Sequence, residues 1–569
     1  MPRGPRVAYF SMEIALEPQI PTYSGGLGIL AGDTIRSFSD LGIRAVAVSL
    51  LHRRGFFRQE LTEDGGQIEK PDAWDPESVL KPVKHRVKVE VEGRTIQIAA
   101  WQYTVEGYAG DPVQVYLLDT HLPANHPDDQ SLTDDLYMGD DRHRLRQEIV
   151  LGMGGAALLE KVSKEPIDRY HLNEGHAALV GLWHLERHLA GDDGHPHGPS
   201  VEEALQRTRD HCVFTTHTPV PAGHDRFSHD LAREVLGAER MATLESIGVK
   251  GELNMTELAL LCSRFVNGVA VRHGEISRSM FPGYPIRSIT NGVHAGTWVS
   301  PDMHDLYDEY IPGWPGDPFA LRYANQIPGE EVEAAHGRSK KKLLDRVREL
   351  TGRELDQNAL TIGFARRATG YKRSALIFQD ITRLEMIAER HGKMQLVFAG
   401  KAHPHDSEGK SLIGQIFEAG RRLRDQIEVV YLPDYDMDLG MLMVSGSDVW
   451  LNNPTPPLEA SGTSGMKAAM NGVPSLSILD GWWVEGCVEG VTGWEIEDGA
   501  FHAGDDVERV NAHHADALYR KLDQVVAPMY FTRPDRMTHI RRQAISLNGS
   551  FFNTHRMALQ YLHEAYLPI

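Results

Sequence analysis

Short apolar runs alternate with longer helix-periodic segments along most of this chain. In the first half, RVAYFSME, IRAVAVSLL, VQVYLLD, DRYHLN and HCVFTTH read as strands, with helical patterns such as RLRQEIVLGMGGAALLEKV between several of them. In the second half, ALTIGFA, MQLVFAG, IEVVYLP, DVWLNN and PSLSIL repeat the rhythm around segments such as SALIFQDITRLEMIAERHG. Parallel strands need a crossover, usually helical, so this alternation predicts α/β folding in parallel βαβ units. HRVKVEVEGRTIQIAAWQY departs from it: period-two alternation around a central EG predicts an antiparallel hairpin.

A chain of 569 residues exceeds what one core accommodates. The region Pro312 to Glu333 opens rich in Pro and Gly, and the charged helical pattern GRSKKKLLDRVREL follows it. These features predict two Rossmann-like, doubly wound domains, 1–310 and 331–540, joined by a linker at 311–330. The closing segment, 541–569, carries HRMALQYLHEAYL, a helix expected to cross back onto the first domain. Ligands of such sheets bind at the carboxyl ends of strands, so the cleft faced by both domains is the expected site. The net charge of −20 argues against a nucleic-acid or anionic-membrane surface. No apolar run reaches the roughly 18 residues of a membrane span. The N-terminal MPRGPRVAYFSMEIAL lacks a signal-peptide core because Glu13 interrupts it. Cys212, Cys262 and Cys487 are widely spaced and odd in number, which predicts a reduced, cytoplasmic protein.

Four segments can carry chemistry. In EASGTSGMKAAMNGV, residues 459–473, Gly462 and Gly465 permit a tight turn whose N–H groups, with those of the helix start, form an anion cradle. Lys467 sits in the first helical turn, where the dipole is already positive. A phosphate in the cradle accounts for that placement. An amine beside a phosphate nest can form a Schiff base with a phosphate-bearing aldehyde, and pyridoxal phosphate is such a molecule. An exposed helix lysine is the plainer alternative. In ARRATGYKR, residues 365–373, Arg366, Arg367, Lys372 and Arg373 crowd the end of a strand and suit phosphate dianions, unless they form a solvated basic loop. In TYSGGLGILAGDTIRSF, residues 22–38, Gly25, Gly26 and Gly28 permit close backbone approach, although the spacing misses the dinucleotide fingerprint by one position and a glycine turn made for packing is the plainer reading of the segment alone. GMGG at 152–155 reads as close helix packing. His176, His217 and Asn291 fall at strand ends, where they suit hydroxyl recognition or a structural role. GHPHGP, AHPHD and AHHAD lack the spacing of a closed zinc site, so no metal is assigned.

Taken in order, SMEIALE, SGGLG, RLRQEI, HLNEGHAAL, TTHT, VNGVA, ITNGV, ARRATGYKR, EASGTSGMKAAMNG with LDG, and HRMALQY resemble the α-glucan (glycogen, starch, maltodextrin) phosphorylases over nearly the whole chain. The resemblance implies the glycosyltransferase-B architecture. It implies reversible phosphorolysis of a terminal α-1,4-linked glucose, with pyridoxal 5′-phosphate attached as an imine to Lys467. It implies that Thr463, Ser464 and neighbouring N–H groups, with Gly26, hold the cofactor phosphate, and that Arg366 replaces a family lysine beside it. Arg367 and Lys372 hold the substrate phosphate, with Lys372 near the cofactor as well. Glu459, Ser461 and Gly462 bind hydroxyls of the reacting glucose, and Gly25, Leu27, His217 (through its backbone carbonyl) and Asn291 line the same pocket. A homodimer is implied by the family alone.

Several departures match the compact bacterial and archaeal branch. The first strand begins near residue 6, which predicts no N-terminal regulatory control. LYMGDDRHRLRQE is shorter than the family's gating loop. Thr369 stands where many members have histidine, SGTSGMK replaces SGTGNMK, and LDGWWVEG replaces LDGANVEI. Trp482 and Trp483 offer a sugar-stacking face or core packing. Two other readings share these features: a nucleotide-sugar glycosyltransferase of the same fold, which needs no lysine after SGTSGM, and a non-catalytic carbohydrate-binding homologue.

Overall fold

Val7–Ser11, the first strand read from the sequence, lies inside a ten-stranded sheet of the computed structural model, which describes residues 4–108, 110–191, 199–423, 426–497 and 505–567. Across this sheet the strands run Ile286–Ser288, Phe265–Gly268, Cys212–Thr215, Arg169–Asn173, Val7–Ser11, Ala45–Leu50, Val113–Asp119, Arg94–Val105 and Lys81–Pro82. The first seven are parallel. Arg94–Val105 then pairs antiparallel with Val113–Asp119, with Lys81–Pro82 and with Val87–Val91, which is the hairpin expected around EG. The burial pattern matches each role. VAYFS is buried throughout, as a strand covered on both faces must be, whereas VKVEV buries alternate residues.

The second sheet is wholly parallel, in the order Glu428–Leu432, Met394–Ala399, Leu360–Ala365, Val449–Asn452, Ser475–Ile478, Gly493–Ile496. Among the parallel strands of the two sheets, three were not foreseen: FVNG, IRS and GWEI. They are too short and too rich in Gly, Arg or Asn to show an apolar run, and they pair because a neighbouring strand edge offers backbone partners. The segment SALIFQDITRLEMIAERHG is divided. Leu376–Phe378 is a 3-10 turn, and Asp380 then caps the helix Ile381–His391 by accepting from the Arg383 N–H at 3.0 Å. The GMGG glycines do pack closely: a Cβ on Gly155 would lie 2.7 Å from Val48, and one on Gly152 would lie 2.9 Å from the Leu179 and Val180 backbone.

The chain divides into two compact units, one of Met1–Phe57, Pro71–Thr290 and Met557–Ile569, the other of Arg58–Lys70 and Asn291–Arg556. The division falls earlier than residue 310. The stretch read as a linker, 311–330, is packed within the second unit: Trp314 is fully buried and donates to Asp308 at 2.9 Å, and Pro318–Gln326 forms a 3-10 helix that buries Leu321 and Ala324. The excursion Arg58–Lys70 is a hairpin that sequence reading missed. Two glutamines hold it to the second sheet, Gln59 donating to the Gly400 carbonyl at 3.0 Å and Gln67 to the Ala402 carbonyl at 2.9 Å. Among the described residues no helix is long and apolar enough to cross a membrane, and Cys212, Cys262 and Cys487 are unbridged.

The second sheet is fastened by one buried carboxylate. Asp448 precedes its strand and accepts from Lys340 at 2.6 Å, His336 at 2.9 Å, Arg541 at 3.1 Å and the Thr361 N–H at 2.8 Å. Burial opposes its charge, but Lys340, and after it His336 and Arg541, hold the carboxyl far below the ordinary range. Its stabilisation is therefore complete above the unfolded carboxylate range, near pH 4, and is lost as pH falls through the lower folded value. Asp448→Asn leaves the buried Lys340 without a carboxylate and Arg541 with only the partly exposed Glu333 at 3.2 Å, and should cost about 3–5 kcal/mol in urea unfolding at pH 7, with a smaller difference from the wild type as the pH is lowered below about 4.

Candidate active site

The strand order of the second sheet reverses between Leu360–Ala365 and Val449–Asn452, so both chains leave side by side at their carboxyl ends. Arg366 follows the first strand directly. Its guanidinium donates to the Asn452 side chain at the end of the second and lies 2.7 Å from Glu459 Oε2. Lys372 Nζ donates to the same oxygen at 2.5 Å. All three side chains are less than a tenth exposed. Burial alone raises a carboxyl's pKa, yet Arg366 and then Lys372 outweigh it and hold Glu459 below its usual range.

The basic cluster of the sequence thus separates by role. Arg373 adopts a left-handed backbone, φ 50°, and anchors the loop by donating to the Asn453 carbonyl at 2.9 Å, the Pro454 carbonyl at 2.5 Å and Asn511 at 2.9 Å, with His514 Nδ1 at 2.8 Å. His514 of AHHAD is accordingly a partner of Arg373. Arg367 is exposed and makes no side-chain hydrogen bond or ion pair among the described residues.

The loop carrying Glu459 is fixed from the following strand. The Glu459 N–H donates to Asp480 Oδ2 at 2.8 Å, the Gly481 N–H donates to Asp480 Oδ1 at 2.9 Å, and the Trp482 N–H returns to the Ser461 carbonyl at 2.8 Å. A Cβ on Gly481, whose φ is +55°, would lie 2.4 Å from that carbonyl, so the LDG turn requires glycine. Trp482 and Trp483 are 2% and 1% exposed and pack on each other, with Trp482 also against Phe552. They belong to the core, which excludes the sugar-stacking alternative.

Gly462, left-handed at φ +87°, starts the helix Thr463–Met470, whose first turn has no side-chain cap. Ser461 Oγ is buried without a partner, while Ser464 Oγ accepts from Trp450 Nε1 at 3.1 Å. Lys467 is 8% exposed, with Nζ 3.4 Å from the Trp298 ring centroid. Asn471 fixes both ends of this contact by donating to the Trp298 and Lys467 carbonyls at 2.7 and 2.9 Å. An exposed helix lysine is therefore excluded. An uncapped helix start, an orphaned hydroxyl and a buried amine one turn away fit a phosphate-bearing aldehyde.

In the first unit the order reverses between Val7–Ser11 and Arg169–Asn173. At these strand ends Asn173 donates to Ser11 Oγ at 3.0 Å, and its Oδ1 lies 2.7 Å from His217 Nε2. The His217 N–H donates to Glu174 at 2.7 Å, and burial pushes the His217 imidazole down to about 4. In the glycine turn, Glu13 takes the Ser24 and Gly25 N–H groups at 2.5 and 3.1 Å. Gly26 and Leu27 open the helix Gly26–Asp40, and a Cβ on Gly26 would meet open space. Asn291 belongs to the second unit. It is 3% exposed, its Oδ1 has no partner, and its carbonyl accepts from Arg556 at 2.9 Å. GHPHGP lies almost wholly outside the described residues.

Reading the sequence missed Asn452, Asp480, Glu13 and Asn173 as the groups that hold these residues in place. Their signal was position: each ends or follows a buried strand, where a polar side chain has to face other polar groups. Asp480 also carries a pH signature. Burial first, and then Glu459, push its carboxyl up to about 7 against the two N–H groups it accepts. The folded chain therefore holds a proton that the unfolded chain has lost, and stability from this group falls as pH rises from about 4 to 7. In Asp480→Asn, urea midpoints measured across that window should lose this slope.

Comparison with known proteins gives the family. A family model described as carbohydrate phosphorylase matches residues 220–553. A maltodextrin phosphorylase of Thermococcus litoralis is 38% identical, with the match covering 98% of this chain and 70% of that protein. A glycogen phosphorylase of Mycobacterium tuberculosis is 37% identical over 100% of this chain and 71% of its own. An uncharacterized protein of Methanocaldococcus jannaschii is 30% identical over 98% of this chain and 99% of its own.

Proposed function

This chain belongs to the carbohydrate phosphorylase family, and from that premise we propose that it catalyses reversible phosphorolysis of terminal α-1,4-linked glucose in glucans or maltodextrins, yielding α-glucose 1-phosphate with retention. The observation that carries this reading is the buried Glu459 carboxylate shared by Arg366 and Lys372, in the same unit as the desolvated Lys467.

Lys467 anchors pyridoxal 5′-phosphate in this reading. Thr463, Ser464 and the uncapped helix N–H groups, with Gly26, receive its phosphate. When bound, the cofactor supplies a phosphate monoester able to give and take a proton. Arg367 and Lys372 bind the substrate phosphate. That phosphate passes a proton to the glycosidic oxygen as the C1–O bond breaks, and one of its oxygens bonds to C1. Arg366 offsets the repulsion between phosphoryl groups, about 4 kcal/mol per unit pair at about 4 Å and an effective ε of about 20. A phosphate competes with Glu459 for Lys372, and each ion pair it loosens frees carboxylate oxygens to accept from glucose hydroxyls. Ser461, whose hydroxyl has no protein partner, and the Gly462 backbone add to that sugar contact. Gly25, Leu27, Asn291 and His217 complete the sugar surface. His217, neutral above about pH 4, serves through its carbonyl. Three unbridged cysteines suit a reducing, cytoplasmic setting, and a homodimer is adopted from the family.

A glycosyltransferase using nucleotide sugars has no use for a buried lysine on an uncapped helix start, so the phosphorylase reading is preferred. With purified protein, phosphate and maltodextrin, glucose 1-phosphate should accumulate. Lys467→Ala should reduce bound pyridoxal phosphate, measured by absorbance after alkaline release, from about one per chain to none and abolish turnover. Arg367→Ala should keep the cofactor but lower kcat/KM for phosphate by about 100-fold or more. Full activity in cofactor-free protein rejects the proposal.

A further inference from the structure

Away from the catalytic residues, the first unit brings Glu148, His176 and Asp225 together, each with a ligand atom within 4.8 Å of the others. Three separate segments contribute them: the helix Asp141–Ile149, the turn Gly175–Ala177 and the residue before the strand Arg226–Phe227. Glu148 is fully buried, and neither of its carboxylate oxygens meets a hydrogen-bond donor. Asp225 Oδ2 and His176 Nδ1 are likewise buried without a donor or acceptor, and His176 Nε2 stands 3.3 Å from Asp225 Oδ2 without hydrogen-bond geometry. Two carboxylates facing one another, one of them wholly desolvated, need positive charge between them. Arg144, over the Tyr137 ring at 4.7 Å from its centroid, and His176 beside Asp225 offset part of that charge, while Glu148 keeps no donor of its own.

We infer that Glu148, His176 and Asp225 form a three-ligand site for a first-row divalent cation. Two carboxylates and an imidazole suit Mn²⁺ or Zn²⁺, with a remaining position for water. Asp225 also lines a cavity of about 520 Å³ with Asp141, Pro221, His224, Arg226 and Phe227, which gives an ion its route in. The ion would tie the helix to the segment that leaves the strand Cys212–Thr215 and carries His217, bracing that segment from its far end. No spacing rule reveals such a site, because the ligands come from distant parts of the chain. The alternative to an ion is a proton: burial first, then Asp225, push the Glu148 carboxyl well above its ordinary range.

The full chain, dialysed against a chelator, would be titrated with MnCl₂ and separately with ZnCl₂, with uptake measured by calorimetry and by mass spectrometry of bound metal. One equivalent of at least one of these ions per chain is expected, with Kd raised more than about 100-fold in Glu148→Gln and in Asp225→Asn. Asp225 is partly exposed, so its amide variant tests the site even where a change at buried Glu148 prevents folding; its fold would be checked by circular dichroism. Absence of stoichiometric uptake by the wild type, or unchanged affinity in folded Asp225→Asn, overturns the inference and leaves a proton shared between the carboxyls.

Discussion

The candidate site depends on one desolvated carboxylate, Glu459, held between Arg366 and Lys372. A lone carboxylate in that position would take up a proton. Two cations keep it ionised and are in turn kept buried by it. The arrangement leaves net positive charge at a strand terminus on two cations that are already desolvated and oriented, as the proposed binding of a phosphate dianion requires. Preorganisation of this kind is what phosphoryl chemistry demands of a protein that cannot rearrange water quickly.

Supporting contacts make the arrangement specific. Asn452 and Asp480 act from neighbouring strands, one on Arg366 and the other on the Glu459 backbone, while Arg373 ties down the end of the basic loop. Beneath them Asp448 joins the helix Gly329–Thr351 to Arg541 and the strand backbone. Two buried carboxylates in one unit therefore divide the work. Asp448 is saturated by four donors and holds the sheet. Glu459 has cations with alternatives available to them.

How far the chain could be read without coordinates follows from what leaves a local signature. Strands such as ALTIGFA and MQLVFAG were evident because a two-faced buried strand is apolar throughout. FVNG and GWEI were not, since their pairing is conferred by neighbours. The hairpin Arg58–Lys70 escaped notice because it belongs to the unit built mostly from the other half of the chain, and no local pattern reports that. In the site, EASGTSGMK displayed its turn and its lysine, but not that Trp298, far away in sequence, lies against the amine. ARRATGYKR displayed four cations without showing that Arg373 is structural and Arg367 exposed, a distinction made by partners at Asn453, Pro454 and Asn511.

The most direct test of the account is phosphorus NMR of the protein incubated with maltoheptaose and inorganic phosphate. The account predicts a growing resonance of the α anomer of glucose 1-phosphate, with one phosphate consumed for each glucose released. Free glucose formed without loss of phosphate, or transfer that proceeds only when a nucleotide sugar is added, would contradict it.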